Sequence, residues 1–304
     1  MQAFNALSEL GIIYQIDPTA PFTTVQDQAT IIDSVSLPRE TIVRRTGDCD
    51  DLTALYCTLL ECVGINTALI TVPGHIYCAF DSGIAPADYQ TLYPDRTMTI
   101  ESGGTLWVPV EITMIGTGSF MEAWETAVEQ WRGAANIPEE RGFYTVKDTQ
   151  ALYRPISLRE TDLGLQYGDE EPLVSRFTSD LSLLKAAILG PFKEESKRAK
   201  TASTQVALGL VAARIGEFSQ ARLAFETAIG IDQDHMNAYI NLGTLYLLME
   251  RPKDAIAILE KAERRIASAS LRVSRTSQFK LAINLGKAYF ELKRLDLAKA
   301  QWIR

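Results

Sequence analysis

A thiol, an imidazole and a carboxylate follow one another in the front half of this chain. Cys49 stands in Arg45-Thr46-Gly47-Asp48-Cys49-Asp50-Asp51-Leu52, His75 in Pro73-Gly74-His75-Ile76-Tyr77, and Glu111 in Trp107-Val108-Pro109-Val110-Glu111-Ile112-Thr113. These are the parts of a cysteine-nucleophile triad. A thiolate attacks a carbonyl, the imidazole moves the proton, and the carboxylate fixes the ring tautomer and stabilises the imidazolium. The chain holds two histidines, so the choice of base is narrow. His235 lies between Asp234 and Met236 in a region of different periodicity and reads as a surface or packing residue.

The elements that must position these groups are legible in the pattern. Leu52, Leu55, Tyr56, Leu59, Leu60 and Val63 recur at helical spacing, which places Cys49 at the start of a helix that Gly64 ends. Thr67–Val72, Ile76–Phe80 and Trp107–Ile112 read as strands punctuated by Gly and Pro, and Met121–Trp131 as a helix. A central helix followed by strands predicts an α+β domain with the helix packed on an antiparallel sheet. A helix N-terminus favours negative charge and lowers a thiol pKa from its usual ~8.5, and a neighbouring imidazolium lowers it further. Backbone N–H groups at the helix start can also stabilise a tetrahedral oxyanion, by ~2.7–4 kcal/mol per donor.

The run from Gly47 through Asp51, the Gly64-Ile65 pair, Gly74-His75 and Trp107 to Glu111 resembles the transglutaminase-like cysteine enzymes of the papain-like fold. The resemblance covers roughly residues 40–130. It implies Cys49 as nucleophile, His75 as base and Glu111 as the residue that orients the imidazole, with no cofactor. The implied reaction is acyl transfer at an amide: hydrolysis of a peptide or isopeptide bond, or passage of the acyl group to an amine. A peptidase is the leading expectation. The family's second oxyanion donor lies upstream of the cysteine, where Gln26 and Gln28 qualify by residue type. The alternative is a catalytically inactive scaffold that keeps the papain-like shape as an interaction surface. Members of this layout are often bacterial and associated with the cell envelope.

Other residues carry blander readings. Asp48, Asp50 and Asp51 oppose a thiolate by charge, unless they cap the helix or pair with Arg44 and Arg45. They lack the central Gly and terminal Glu of a calcium loop. Cys49, His75 and Cys78 with Asp residues could be drawn as a zinc site, but no Cys-x-x-Cys spacing supports it, and no metal is expected. Cys57, Cys62 and Cys78 read as small core residues. Trp107, Trp124 and Trp131 read as core, with Trp107 placed to line a cleft beside Glu111. Glu139-Glu140-Arg141 and Lys197-Arg198-Ala199-Lys200 read as solvated faces.

From residue 206 a repeat begins. Gly209, Ala221 and Ala228 recur as Gly243, Ala255 and Ala262 after 34 residues, and Gly286 and Ala298 recur again after 43. Small residues at these offsets let two antiparallel helices approach, with Leu208, Phe225, Tyr239, Leu242, Tyr246 and Tyr289 filling between them. The period resembles tetratricopeptide repeats, about three of them, an all-α solenoid that binds a protein partner or substrate. The last repeat is cut off at Arg304, and a longer array is expected. The nine extra residues near Ser268–Ser277 should lengthen a helix or loop. The expected organisation is therefore a transglutaminase-like domain over 1–165, a helical linker or degenerate repeat over 166–205, and repeats over 206–304. Leu181, Leu184, Ile188 and Leu189 share one helical face in the middle segment. A linker is expected at Gly168-Asp169-Glu170-Glu171-Pro172 and a helix break at Gly190-Pro191.

Charge divides in the same way. Residues 1–165 carry 22 Asp and Glu against 9 Lys and Arg, while the remainder carries 16 against 21. An acidic front half argues against nucleic acid as partner. No run reaches the roughly 18–20 apolar residues that span a bilayer. Met1-Gln2-Ala3-Phe4 is no export signal, so the compartment stays open: periplasm or envelope if a signal lies upstream, otherwise cytoplasm.

Overall fold

The computed structural model describes residues 1–16, 35–139, 141–155, 159, 162, 164, 169–268 and 273–303. Gln26 and Gln28 lie outside the described residues. The chain forms two compact units, one through Leu184 and one from Lys185 onward. The first is an α+β region and the second an array of helical hairpins.

The first unit contains α1 (Gln2–Glu9), β1 (Ile13–Tyr14), α2 (Pro38–Arg44), β2 (Thr46–Gly47), α3 (Cys49–Cys62), β3 (Thr67–Val72), β4 (His75–Asp81), β5 (Ile100–Ser102), β6 (Thr105–Val110), α4 (Phe120–Gly133), β7 (Gly142–Thr145) and α5 (Val146–Leu152). Five strands form an antiparallel sheet in the order β5-β6-β4-β3-β7. Side chains alternate between its faces. Cys78, Val108 and Val110 join Leu52, Leu55 and Tyr56 of α3 in one core. Ile70, Tyr77, Ala79 and Trp107 join Ala127 of α4 in the other. Odd positions of β4 and β6 thus share a face, and continuing the alternation puts His75 and Glu111 on the same side.

The β3–β4 turn is Pro73-Gly74, with Val72 paired to His75. Gly74 has φ 71°, the left-handed conformation that the second central residue of such a turn requires. Helix α3 ends as the sequence implies, with Ile65 N–H donating to Leu60 O at 3.0 Å across Gly64. Two members of its expected buried set face water instead. Val63 is 71% exposed and Cys62 is exposed, the one as the helix C-cap and the other as its last residue. Trp107 is buried in the core, its indole N–H bonded to Ser102 O and its ring edge-on to Phe143, so it does not line a cleft.

Helix α6 (Glu170–Ala199) carries the division between the units within its length. The expected linker is partly helix: Glu170, Glu171 and Pro172 open α6, where acidic residues and a first-turn proline are favourable. The expected break at Gly190-Pro191 is absent, since α6 runs through Pro191 unbroken. An interior proline costs about 3 kcal/mol. Burial of Ile188 and Leu189 beside it offsets that cost, at ~1.5–3 kcal/mol for each side chain.

The second unit continues with α7 (Ala202–Arg214), α8 (Phe218–Ile231), α9 (Met236–Leu248), α10 (Pro252–Ser268), α11 (Arg275–Glu291) and α12 (Leu295–Ile303). They pair as α7–α8, α9–α10 and α11–α12. In each pair the glycine of the first helix meets a large side chain sixteen residues on: Gly209 against Phe225, Gly243 against Leu259, Gly286 against Trp302. A Cβ at any of the three would collide with that side chain, which is why the small residue recurs there. The turn between the helices is also constant. Gly216, Glu250 and Lys293 are its middle residues, all with positive φ. The residue after each donates back to the carbonyl five earlier: Glu217 to Ala212, Arg251 to Tyr246, Arg294 to Tyr289. The extra residues before the third pair lengthen both flanking helices, since α10 and α11 have 17 residues each against 14 and 13 in α8 and α9.

Candidate active site

Cys49 is the first residue of α3, half-buried, and follows Asp48 as N-cap. The Asp48 carboxylate accepts from Asp51 N–H at 3.2 Å. Asp50 Oδ1 accepts from the same N–H at 2.7 Å, and Asp51 accepts from Ser36 N–H. The three carboxylates lie within 4.8 Å of one another, among the described residues the one cluster with metal-ligand geometry. Arg44 hydrogen-bonds Ser36 Oγ. Gly47 makes this tight start possible: a Cβ there would stand 2.7 Å from Asp51 Cβ and 3.1 Å from Thr41 Cγ2.

Buried Thr53, one turn into α3, donates to Cys49 O at 2.6 Å and approaches Ile76 O at 3.5 Å. That contact ties the start of the helix to the strand that carries His75. The imidazole is about one-fifth exposed and tilts against the buried Tyr77 ring, centroids 5.6 Å apart. Tyr77 is itself fixed by a 3.1 Å bond to Ala127 O. His75 Nε2 sits 2.8 Å from Glu111 Oε2. With Nε2 occupied, Nδ1 is the ring nitrogen left free of Glu111, and the Cys49 thiol lies within electrostatic reach of the ring.

Burial lowers the His75 pKa, but the hydrogen bonds from Cys49 and Glu111, with the Glu111 charge, outweigh it and raise the pKa to about 9. The ring is therefore held protonated at neutral pH. Glu111, 2% exposed, shows the complementary balance. Burial pushes its pKa up, but bonds from His75 and Thr113 bring it below the ordinary carboxylate value. Its second oxygen accepts from Thr113 N–H at 3.1 Å and Thr113 Oγ1–H at 2.7 Å. Glu111 lies one residue past β6, not within a strand as the sequence predicts, and caps the short turn Ile112–Met114. That cap is what immobilises the carboxylate.

The structure thus brings Cys49, His75 and Glu111 together at the ends of α3, β4 and β6. It does not assemble Cys49, His75 and Cys78 around a metal position. Cys78 is fully buried, with its thiol toward Val110 O at 3.9 Å, and His75 Nε2 is taken by Glu111. His235 caps α9, 3.8 Å from Asp232 and remote in sequence from these groups. Thr53 and Thr113 went unread in the sequence, although Glu-x-Thr after a strand is a local capping signal. Tyr14 of β1 pairs with Gly47, two residues before Cys49, and no spacing pattern marks it.

Comparison with known proteins adds to the second unit. A family model described as tetratricopeptide repeat matches residues 237–267. The chain carries a tetratricopeptide repeat. The matched segment covers nearly all of α9 and α10, the hairpin in which Gly243 meets Leu259. Two solved structures, "Crystal structure of MamA" and "Crystal structure of MamA protein", are each 21% identical over 44% of this chain. They are matched over 74% and 69% of their own lengths, with TM-scores of 0.34 and 0.33. No curated protein matches the sequence.

Proposed function

We propose that the first unit is a transglutaminase-like cysteine enzyme acting on amide bonds, and that the tetratricopeptide region holds its protein substrate or a protein partner. The observation that carries this reading is the position of His75, between a helix-N-terminal thiol and a buried carboxylate whose remaining oxygen is already saturated. A histidine whose pKa is raised to about 9, set beside a thiol and oriented by a buried carboxylate, is the acid–base partner that cysteine hydrolases use.

In the first step the Cys49 Sγ–carbon bond forms and the carbonyl π pair moves to oxygen. On collapse the pair returns, the C–N bond breaks, and His75 gives its proton to the departing amine. Water or an amine then attacks the thioester, His75 takes its proton, and the C–S bond breaks to release Cys49. Glu111 keeps the ring oriented and supports its charge throughout. Repeats on the same chain as Cys49 raise the effective concentration of any protein they hold.

The test is alkylation by iodoacetamide at neutral pH, resolved by peptide mass spectrometry. Cys62 is the exposed internal reference and Cys57 and Cys78 are buried ones. Alkylation at Cys49 at least ~10-fold faster than at Cys62, lost in His75→Ala, supports the enzyme. Equal rates at Cys49 and Cys62 favour the inactive scaffold, with the Asp48, Asp50 and Asp51 charges suppressing the thiolate.

A further inference from the structure

The sheet carries a second charged group in the row of His75. Val72 pairs with His75, and on the other side of β3 Thr71 pairs with Gly142. Continuing that register sets Arg141 opposite Val72. His75, Val72 and Arg141 thus form one cross-strand row, with the Cα atoms of the outer two ~9–10 Å apart. Both outer side chains belong to the α4 face. Tyr77, two residues past His75, donates to Ala127 O of α4 at 3.1 Å, and Phe143, two past Arg141, meets the Trp131 ring at 6.4 Å between centroids. The half-buried Arg141 lays its guanidinium 4.3 Å over that same Trp131 ring and donates to Trp131 O at 3.3 Å. Among the described residues this carbonyl is its one hydrogen-bond acceptor, and no carboxylate pairs with it. Burial and then Glu111 raise the Tyr77 pKa, while the Arg141 charge opposes them, so the cation acts on the ring that backs His75.

We infer that Arg141, backed by Trp131, binds a carboxylate of the substrate: an Asp or Glu side chain one or two residues from the amide that Cys49 attacks. The inference rests on the acyl-transfer reading above and gives it a substrate class. A planar guanidinium held flat on an indole keeps its remaining N–H groups in a fork that matches both oxygens of a carboxylate. An extended peptide advances at most ~3.3–3.6 Å per residue, so one or two residues and an acidic side chain bridge the row from His75 to Arg141. The contact orients the substrate and makes or breaks no covalent bond.

Two reagents of equal size read this subsite. The α-amides of N-iodoacetyl-glutamate and N-iodoacetyl-glutamine alkylate a thiol at the same carbon and differ only in a side-chain carboxylate against a carboxamide. Both rates are measured at Cys49 by mass spectrometry on the full chain, with Cys62 as reference and iodoacetamide as parent reagent. The glutamate reagent should react at Cys49 about 10-fold faster than the glutamine one, the scale of a hydrogen bond to a charged group, with no preference at Cys62. The preference should vanish in Arg141→Gln and be kept in part in Arg141→Lys, which retains the charge without the fork. Equal rates at Cys49 in the wild type overturn the inference, and this comparison needs no variant to fold. A preference that survives in Arg141→Gln, whether or not both rates fall together, also overturns it and marks Arg141 as a clamp on α4. If iodoacetamide reacts at Cys49 no faster than at Cys62, the enzyme reading itself fails and the subsite with it.

Discussion

Glu111 holds His75 Nε2 at 2.8 Å with one carboxylate oxygen, while Thr113 takes the other through both its N–H and its hydroxyl. The carboxylate has no slack: rotating to release the ring would break two further hydrogen bonds. Glu111→Gln keeps the shape and removes the charge. The His75 titration should then move down from about 9 toward the unperturbed ~6.5. With two histidines in the chain, ring-proton NMR resolves the His75 titration directly. A His75 titration unmoved by the substitution would show that Glu111 does not set the ring's charge.

The same shift makes folding depend on pH with a definite sign. His75 has a raised folded-state pKa, so its contribution is fully present below the unfolded value near ~6.5 and is lost as pH rises through about 9. Glu111 has a lowered one, so its contribution holds above ~4.3 and is lost at more acid pH. Urea unfolding followed by tryptophan fluorescence reports mainly on the first unit, which holds Trp107, Trp124 and Trp131. In Cys49→Ala, which leaves the His75–Glu111 pair without the thiol, the midpoint should fall between pH 6.5 and 9.5, and adding His75→Gln should flatten that limb.

Gly47→Ala tests the packing beneath the nucleophile. The added Cβ meets the Asp51 and Thr41 side chains, and overpacking of this kind costs about 1–3 kcal/mol. Because Asp51 belongs to the first turn of α3, the shift reaches Cys49. Both the unfolding midpoint and the alkylation rate at Cys49 should drop, while the rate at Cys62 stays constant.

In the repeat array, Gly216, Glu250 and Lys293 occupy one left-handed position, and two of the three are not glycine. Glu250→Gly and Lys293→Gly should each stabilise the second unit by roughly 0.5–1 kcal/mol, and Gly216→Ala should destabilise it by a similar amount. Denaturant titrations followed by circular dichroism give the sign. Destabilisation by either glycine substitution would mean that those side chains hold contacts outweighing the backbone strain.

Where buried periodicity is long, the sequence is readable. Thr67–Val72 matches β3 to the residue, and the Gly-Ala offsets locate three helix pairs, because each small residue exists to admit one particular neighbour. Cys49 and His75 could be placed from a helix start and a turn. The parts that stayed hidden are short or contingent. Strands of two residues, such as β1 and β2, show no alternation, so Tyr14 carries no local mark of its proximity to Cys49. Pro191 signals a break that buried neighbours override, and Cys62 and Val63 continue a helical stripe onto the exposed end of α3. Tertiary surroundings decide each of these, and local spacing does not report them.

The sixteen-residue interval between each repeat glycine and its large partner spans a three-residue turn whose middle residue is always left-handed. Adding or removing one residue inside that turn would rotate the partner helix by about 100° and swing Phe225, Leu259 or Trp302 away from its notch. Between the second and third hairpins the period grows by nine residues, and α10 and α11 lengthen to take up part of them. Length has thus varied outside the hairpin turn and in none of the three turns themselves, so an inserted peptide tag belongs outside them as well.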